Sequence, residues 1–260
     1  MRSLEERLGY RLLTRTTRSV STTEAGERLL SAVAGRFEEI EAELSAMGEL
    51  RDRPAGLVRI TCSERAAETV LWPKLAAGLV DFPDVKVEIF IDHGFTDIAA
   101  ERFDAGVRLG ESVEKDMIAV RIGPDMRMVA VASPTYLATH QAPTTPQELV
   151  AHTCINLRLS TSGGLYAWEF EKNGHPLRVK VDGQFTFNTV RPMVNAALQG
   201  FGIAYVPEDS AQPHLRSGDL VQLLDDWCQP FSGFHLYYPS RRQMNPAFAL
   251  VIDVLRHRTV

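Results

Sequence analysis

The sequence predicts an α/β protein carrying a helical arm at its N-terminal end. Three observations lead there. From Leu57 onward strand and helix patterns alternate, the order that builds a sheet with helices on both faces. Before that, Leu30, Val33, Phe37, Ile40, Leu44 and Met47 recur with spacings of 3, 4, 3, 4 and 3, the period of a seam between paired helices. Between the two regimes, Asp52-Arg-Pro-Ala-Gly56 breaks the helix and reads as a hinge. The 260 residues suit about two ordinary domains.

Element by element, Arg2 to Leu8 reads as the end of a helix closed by Gly9 as its C′ residue. Arg11 to Val20 reads as a hairpin. The long helix starts at Ser21-Thr-Thr-Glu24, where Ser21 and Glu24 have capping-box spacing and Thr23 is the alternative N-cap, and it runs to about Arg51. Strands follow at Leu57–Cys62, Val85–Ile91, Ala105–Leu109 and Met126–Ala132, with a proline-containing helix over Ala66–Val80 and a short helix over Thr96–Phe103. This order predicts a mainly parallel sheet. A second unit begins near Ser133, with strands at Cys154–Leu159, Tyr166–Phe170, Leu177–Val181, Gln184–Phe187 and Ile203–Val206 and a helix over Val190–Gln199. The last strand, Phe234–Tyr238, and the last helix, Phe248–His257, return to the first unit. The expected units are therefore 1–20, 21–56, 57–132 with 234–260, and 133–233.

Charge is distributed unevenly. The chain carries a net charge of −5. Residues 1–18 nevertheless hold five arginines against two glutamates, a net of +3. A basic patch on an acidic body fits a nucleic-acid contact confined to one end. Cys62, Cys154 and Cys228 lie far apart, with no Cys-x-x-Cys spacing, and read as free thiols of a reducing compartment. No apolar run reaches the ~18 residues of a membrane span, and the N-terminus lacks a secretory h-region. A cytoplasmic location follows as an expectation.

Each candidate site has a plainer reading beside it. The heptad is either a seam between two copies or a helix packed on its own domain. Charged residues at Arg36, Glu38, Glu39, Glu41 and Glu43 narrow the stripe and favour the seam, hence self-association as a dimer or tetramer. Arg15-Thr-Thr-Arg18 is either a solvated turn or a contact for phosphate oxygens and the minor groove; the dimerising helix beside it favours the contact. Ser63-Glu64-Arg65 opens a helix after a strand. Its free N–H groups favour an anion, unless Ser63 merely caps that helix. Phe187-Asn-Thr-Val190 repeats the geometry in the second unit, and two such junctions facing one another are where α/β domains hold small ligands. Ser160-Thr-Ser-Gly-Gly164 could cradle an anion or simply connect two elements. Seven histidines show no metal-ligand spacing, and there is no Gly-x-Ser-x-Gly elbow or dinucleotide fingerprint. No metal, cofactor or catalytic set is expected, which argues against an enzyme.

The stretch from Leu4 to Gly26, LEERLGYRLLTRTTRSVSTTEAG, resembles the recognition-helix end, wing and linker-helix start of LysR-type transcriptional regulators. Phe103-Asp-Ala-Gly-Val-Arg-Leu-Gly110, Gly200-Phe-Gly-Ile-Ala-Tyr-Val-Pro207 and Tyr237-Tyr-Pro-Ser-Arg-Arg242 resemble the effector domain of the same family. The resemblance implies part of a winged helix-turn-helix, a linker helix and a two-lobed effector domain like periplasmic solute-binding proteins. It implies double-stranded DNA contacts from Arg2, Ser3, Arg11, Arg15, Thr16, Thr17 and Arg18. It also implies a small organic, anionic effector held by Ser63, Phe95, Thr96, Ser160, Asn188 and Thr189, to which the anion-favouring junction adds Glu64 and Arg65. Family members open with two further helices and the first half of the recognition helix, where most base-reading side chains sit. This sequence starts inside that helix, so weakened sequence-specific binding is the expectation for these residues alone. A form that only dimerises with intact partners, and a cytoplasmic small-molecule binding protein, are the alternative readings.

Overall fold

The computed structural model describes residues 2–15, 20–46, 54–92, 94, 98, 101–110, 117–160, 162–240 and 244–258; at 2–3, 14–15, 20 and 37–46 it describes the backbone. The arm begins with helix α1 (Arg2–Leu8), which ends at Gly9 with φ of +77°. Strands β1 (Leu13–Arg15) and β2 (Val20–Thr22) pair antiparallel as the expected hairpin. The Glu5 carboxylate ties hairpin to helix by accepting from the N–H of Leu12 at 2.8 Å and of Leu13 at 3.1 Å.

Helix α2 (Glu24–Ala46) is capped by Thr23, whose Oγ1 accepts from the Gly26 N–H at 3.1 Å. The capping box expected from Ser21 and Glu24 does not form, because Ser21 is committed to β2 and the cap falls two residues later. A Cβ at Gly26 would come within 2.1 Å of the Leu12 carbonyl oxygen. Helix and hairpin thus pack at a distance only glycine allows. The end of the long helix beyond Ala46 and most of the short helix expected over Thr96–Phe103 lie outside the described residues.

The first sheet has five strands in the order β4-β3-β5-β15-β6: β3 (Gly56–Cys62), β4 (Val85–Ile91), β5 (Ala105–Leu109), β6 (Met117–Arg121) and β15 (Phe234–Pro239). β3 runs parallel to β4 and β5, while β15 is antiparallel to β5 and β6. Between β3 and β4, the expected single helix is split into α3 (Glu64–Ala66), a π-helical turn (Ala67–Leu71) and α4 (Trp72–Gly78). Pro73 explains the split: it has no N–H to donate and its ring crowds the carbonyl four residues back, and a wider turn just before it relieves both. Helix α8 (Pro246–Leu255), capped by Asn245 through the Phe248 N–H at 2.7 Å, joins α4 over the sheet. Val58, Ile60, Leu71, Leu236, Phe248 and Val251 form the core between them.

The second sheet runs β11-β8-β12-β7-β13, with β14 also paired to β7. Its strands are β7 (Met126–Ala132), β8 (Cys154–Leu157), β11 (Thr186–Phe187), β12 (Ile203–Pro207), β13 (Val221–Leu223) and β14 (Pro230–Phe231). Sequence order assigns Met126–Ala132 to the first lobe; the pairing puts it in the second, antiparallel to β12, β13 and β14. β7 and β15 are the returning strands that make both sheets mixed rather than mainly parallel. Both faces of the second sheet are covered. On one, Tyr136 of α5 (Pro134–Leu137) and Tyr205 pack with Trp168 and Phe170 of the hairpin formed by β9 (Trp168–Lys172) and β10 (His175–Val179); on the other lie Met193, Val194 and Ala211 of α6 (Val190–Leu198) and α7 (Glu208–Ser217). The hairpin turns at Asn173-Gly174, with φ of +55° and +77°, as a tight two-residue connection needs. Among the described residues no helix is long and apolar enough to cross a membrane.

Candidate functional site

In each lobe the parallel strands end on the same edge, and helices begin there: α3 after β3, α6 after β11 and α7 after β12. One side chain shows that these two edges face each other. Arg65 in α3 donates from Nη1 to Ser210 Oγ at 2.7 Å and pairs through Nη2 with Asp209, both in the first turn of α7. The bridge crosses from the first lobe to the second, between residues more than 140 positions apart.

The two junctions singled out in the sequence differ in detail. Ser63 is the N-cap of α3, its Oγ accepting from the Ala66 N–H at 3.3 Å, so its hydroxyl serves its own helix. Thr189 is the N-cap of α6 but makes no side-chain capping bond, and Asn188 beside it is exposed. Glu64 is exposed, and Arg65 turns to the opposite lobe as described. Ser160 is exposed in a loop closed on itself: Arg158 Nη1 donates to the Gly163 carbonyl at 2.7 Å and the Gly163 N–H to the Leu159 carbonyl at 2.8 Å. Phe95 and Thr96 lie outside the described residues; next to them, Arg108 of β5 donates to the Gly94 carbonyl at 2.8 Å and anchors the exit from β4.

Two buried oxygens went unnoticed in the sequence. Thr61 Oγ1 and Asn156 Oδ1, on the next-to-last residues of β3 and β8, are buried without a hydrogen-bond partner. The signal was available: an uncharged polar residue one step from the end of a strand, once in each lobe.

Two crossovers join the lobes, at Ile122–Asp125 and at Ser232–Gly233. The Phe234 carbonyl accepts from the N–H groups of Ile122 at 3.0 Å and Gly123 at 3.2 Å. A Cβ at Gly233 would lie 1.9 Å from the Pro124 carbonyl oxygen, so the two crossovers touch. Lys74 Nζ donates to the carbonyls of Ile122 at 2.7 Å, Leu255 at 2.8 Å and Arg256 at 3.3 Å, fastening the outgoing crossover to the end of α8. Against the crossovers lies a cavity of about 220 Å³, bordered by Arg65, Thr69, Val70, Met126, Arg127 and Phe234. Arg127 is held by Glu208 at 2.7 Å and Asp225 at 2.9 Å, which fixes the start of α7 on the second sheet.

Burial pushes the thiols of Cys62 and Cys228 up to about 11 and that of Cys154 up to about 12, which keeps them protonated and unreactive. Among the described residues no cluster of three or more metal-ligating side chains occurs.

The dimer and DNA residues are only partly described. Leu30 is 44% exposed and Val33 half-buried, while the side chains of Phe37, Ile40 and Leu44, and all of Met47, lie outside the described set. Arg11 is exposed; the side chains of Arg2, Ser3 and Arg15, and residues Thr16, Thr17 and Arg18, lie outside it too.

Residues 51–259 match the family model of the LysR substrate binding domain. A putative transcriptional regulator of Pseudomonas aeruginosa is 56% identical over 254 residues, covering 98% of this chain and 83% of its own length. The HTH-type transcriptional regulator PgrR of Escherichia coli is 44% identical over 258 residues, covering 99% of this chain and 86% of its own. The full-length structure of AphB, the Vibrio cholerae virulence activator, superimposes with a TM-score of 0.68 at 26% identity, covering 98% of this chain and 86% of that one. With the two-lobed fold and the match across nearly its whole length, the chain belongs to the LysR-type family of transcriptional regulators.

Proposed function

We propose that this protein is a cytoplasmic, DNA-binding transcriptional regulator controlled by a small organic anion held between its two lobes. The observation that carries the ligand reading is the pair of junctions at facing strand ends, one of which, at Thr189, leaves the first turn of α6 without a side-chain cap. Uncapped N–H groups at the positive end of a helix favour a carboxylate. The reading assigns Ser63 and Glu64 of the first lobe and Ser160 and Asn188 of the second to this ligand, together with Phe95 and Thr96, which the family resemblance implies. An anion touching both lobes changes the angle between them only through its differential affinity for the two arrangements. Helix α2 pairs with a second copy through Leu30, Val33, Phe37, Ile40, Leu44 and Met47. That pairing places the arginines and threonines of two arms, Arg2, Ser3, Arg11 and Arg15–Arg18, along one duplex.

The experiment is fluorescence anisotropy on a duplex from the protein's own promoter, with and without small carboxylates, run at several salt concentrations. The reading expects a salt-dependent affinity that at least one carboxylate shifts, and a dimer or tetramer by light scattering. Binding that no carboxylate in a broad metabolite panel alters, on a monomeric protein, overturns it. Being no enzyme, the protein leaves each carboxylate chemically unchanged after incubation.

A further inference from the structure

We propose that the cavity at the lobe crossovers is a second ligand site, separate from the cleft at Ser63 and Thr189, for a small uncharged molecule with an apolar body and one hydrogen-bond-accepting oxygen. Three observations converge on it. The space is about 220 Å³, larger than the ~150 Å³ that admits a benzene ring. Its walls supply apolar surface from Val70 and Phe234, both buried, and from half-buried Met126. The Arg65 guanidinium borders it and is incompletely satisfied: Nη1 and Nη2 have Ser210 and Asp209, but Nε–H is buried with no acceptor. An orphaned buried donor costs about 1–3 kcal/mol, and an acceptor oxygen that reached it from the cavity would remove that cost.

Charge decides the class. Asp125, Glu208 and Asp209 border the space against Arg65 and Arg127, and each arginine is already paired with one of those carboxylates. Asp125 is paired in turn with Arg121 at 2.8 Å, so each of these carboxylates and arginines already has a partner and an added anion would find no free cation. A carbonyl or amide oxygen meets the same N–H without that penalty. The walls come from the first lobe, the crossovers and α7, so an occupant touches both lobes beside the crossovers.

The test is saturation-transfer NMR on the 260-residue protein, with benzamide at about 5 mM as the neutral probe and benzoate as its matched anion. Benzamide binding is expected, about fivefold or more tighter than benzoate. It is expected to disappear in Thr69→Trp, which fills the cavity from an exposed helix position, and to persist in Asn188→Trp, which obstructs the cleft. Circular dichroism checks both variants, and Thr69→Met replaces the tryptophan variant if that does not fold. Absence of benzamide contact in the unmodified protein overturns the proposal. So does loss of the contact in Asn188→Trp with retention in the Thr69 variant, or benzoate binding as tightly as benzamide. Since the cleft variant is one arm, failure of this site and failure of the cleft reading are told apart.

Discussion

The two strand-to-helix junctions look alike in sequence and behave differently in the fold. At the first, Ser63 folds its hydroxyl back on the Ala66 N–H. At the second, Thr189 stands at the same position relative to α6 and makes no such bond. One helix start has a side-chain cap on one of its N–H groups, and the other has none. On the proposed reading, an anion that needs backbone N–H groups anchors on the second lobe, and this asymmetry would make the lobe angle depend on occupancy.

The largest expected effect comes from filling the open junction with charge. Thr189→Glu puts a carboxylate where the anion is proposed to sit, and should weaken carboxylate binding at least about tenfold, ~1.4 kcal/mol, by calorimetry. Unchanged affinity there would move the ligand elsewhere. Next, Ser63→Ala removes a cap and should cost about 1 kcal/mol in urea unfolding, while leaving the carboxylate affinity within a small factor. A large loss of affinity with no loss of stability would reverse the roles of the two junctions.

A smaller effect tests the other end of the second lobe, away from both junctions. His152 Nδ1 lies 3.1 Å from Tyr136 Oη, with His140 stacked on that tyrosine. Burial first, and His140 second, hold the His152 imidazole below its ordinary value, against an opposing pull from Glu148. The unfolded chain then binds the proton more readily than the fold does. Stability is present above about pH 6.5 and falls as pH drops through the depressed value. Urea midpoints between about pH 7.5 and 5 should show this slope, and His152→Gln should flatten it. The smallest effect is Thr189→Ala, expected within about 0.5 kcal/mol of the parent because no capping bond is lost. A cap-sized loss would show that Thr189 does cap α6 in solution and erase the contrast with Ser63.

Much of this architecture was readable from local pattern. The alternation of strand and helix, the hairpin before α2, the breaker at Pro54 and Gly56 and the return of Phe234–Tyr238 to the first lobe all rest on signals carried within a few residues. The errors came where a partner far along the chain decides. Met126–Ala132 has the same apolar run whichever sheet it joins, and nothing local states that β12 and β13 will take it. The Ser21–Glu24 spacing was formally correct for a capping box, but hydrogen bonding to β1 claimed Ser21 first. At the site, the junction residues were legible because strand ends and caps have local signatures. The Arg65 bridge to Asp209 and Ser210 was not, since it depends on how two lobes close. The turn at Asn173-Gly174, by contrast, carries its type in those two residues alone.

Lys74 limits how the halves can move. By gathering three carbonyls from the outgoing strand and the chain's last helix, it welds those pieces to the first lobe. Beyond those ties the connection to the second lobe is short, Pro124–Asp125 and Ser232–Gly233, and the two segments lie side by side. A pivot that short permits one swing and little sliding. Different occupants of the molecule would therefore differ in the amplitude of a single gesture rather than in its direction.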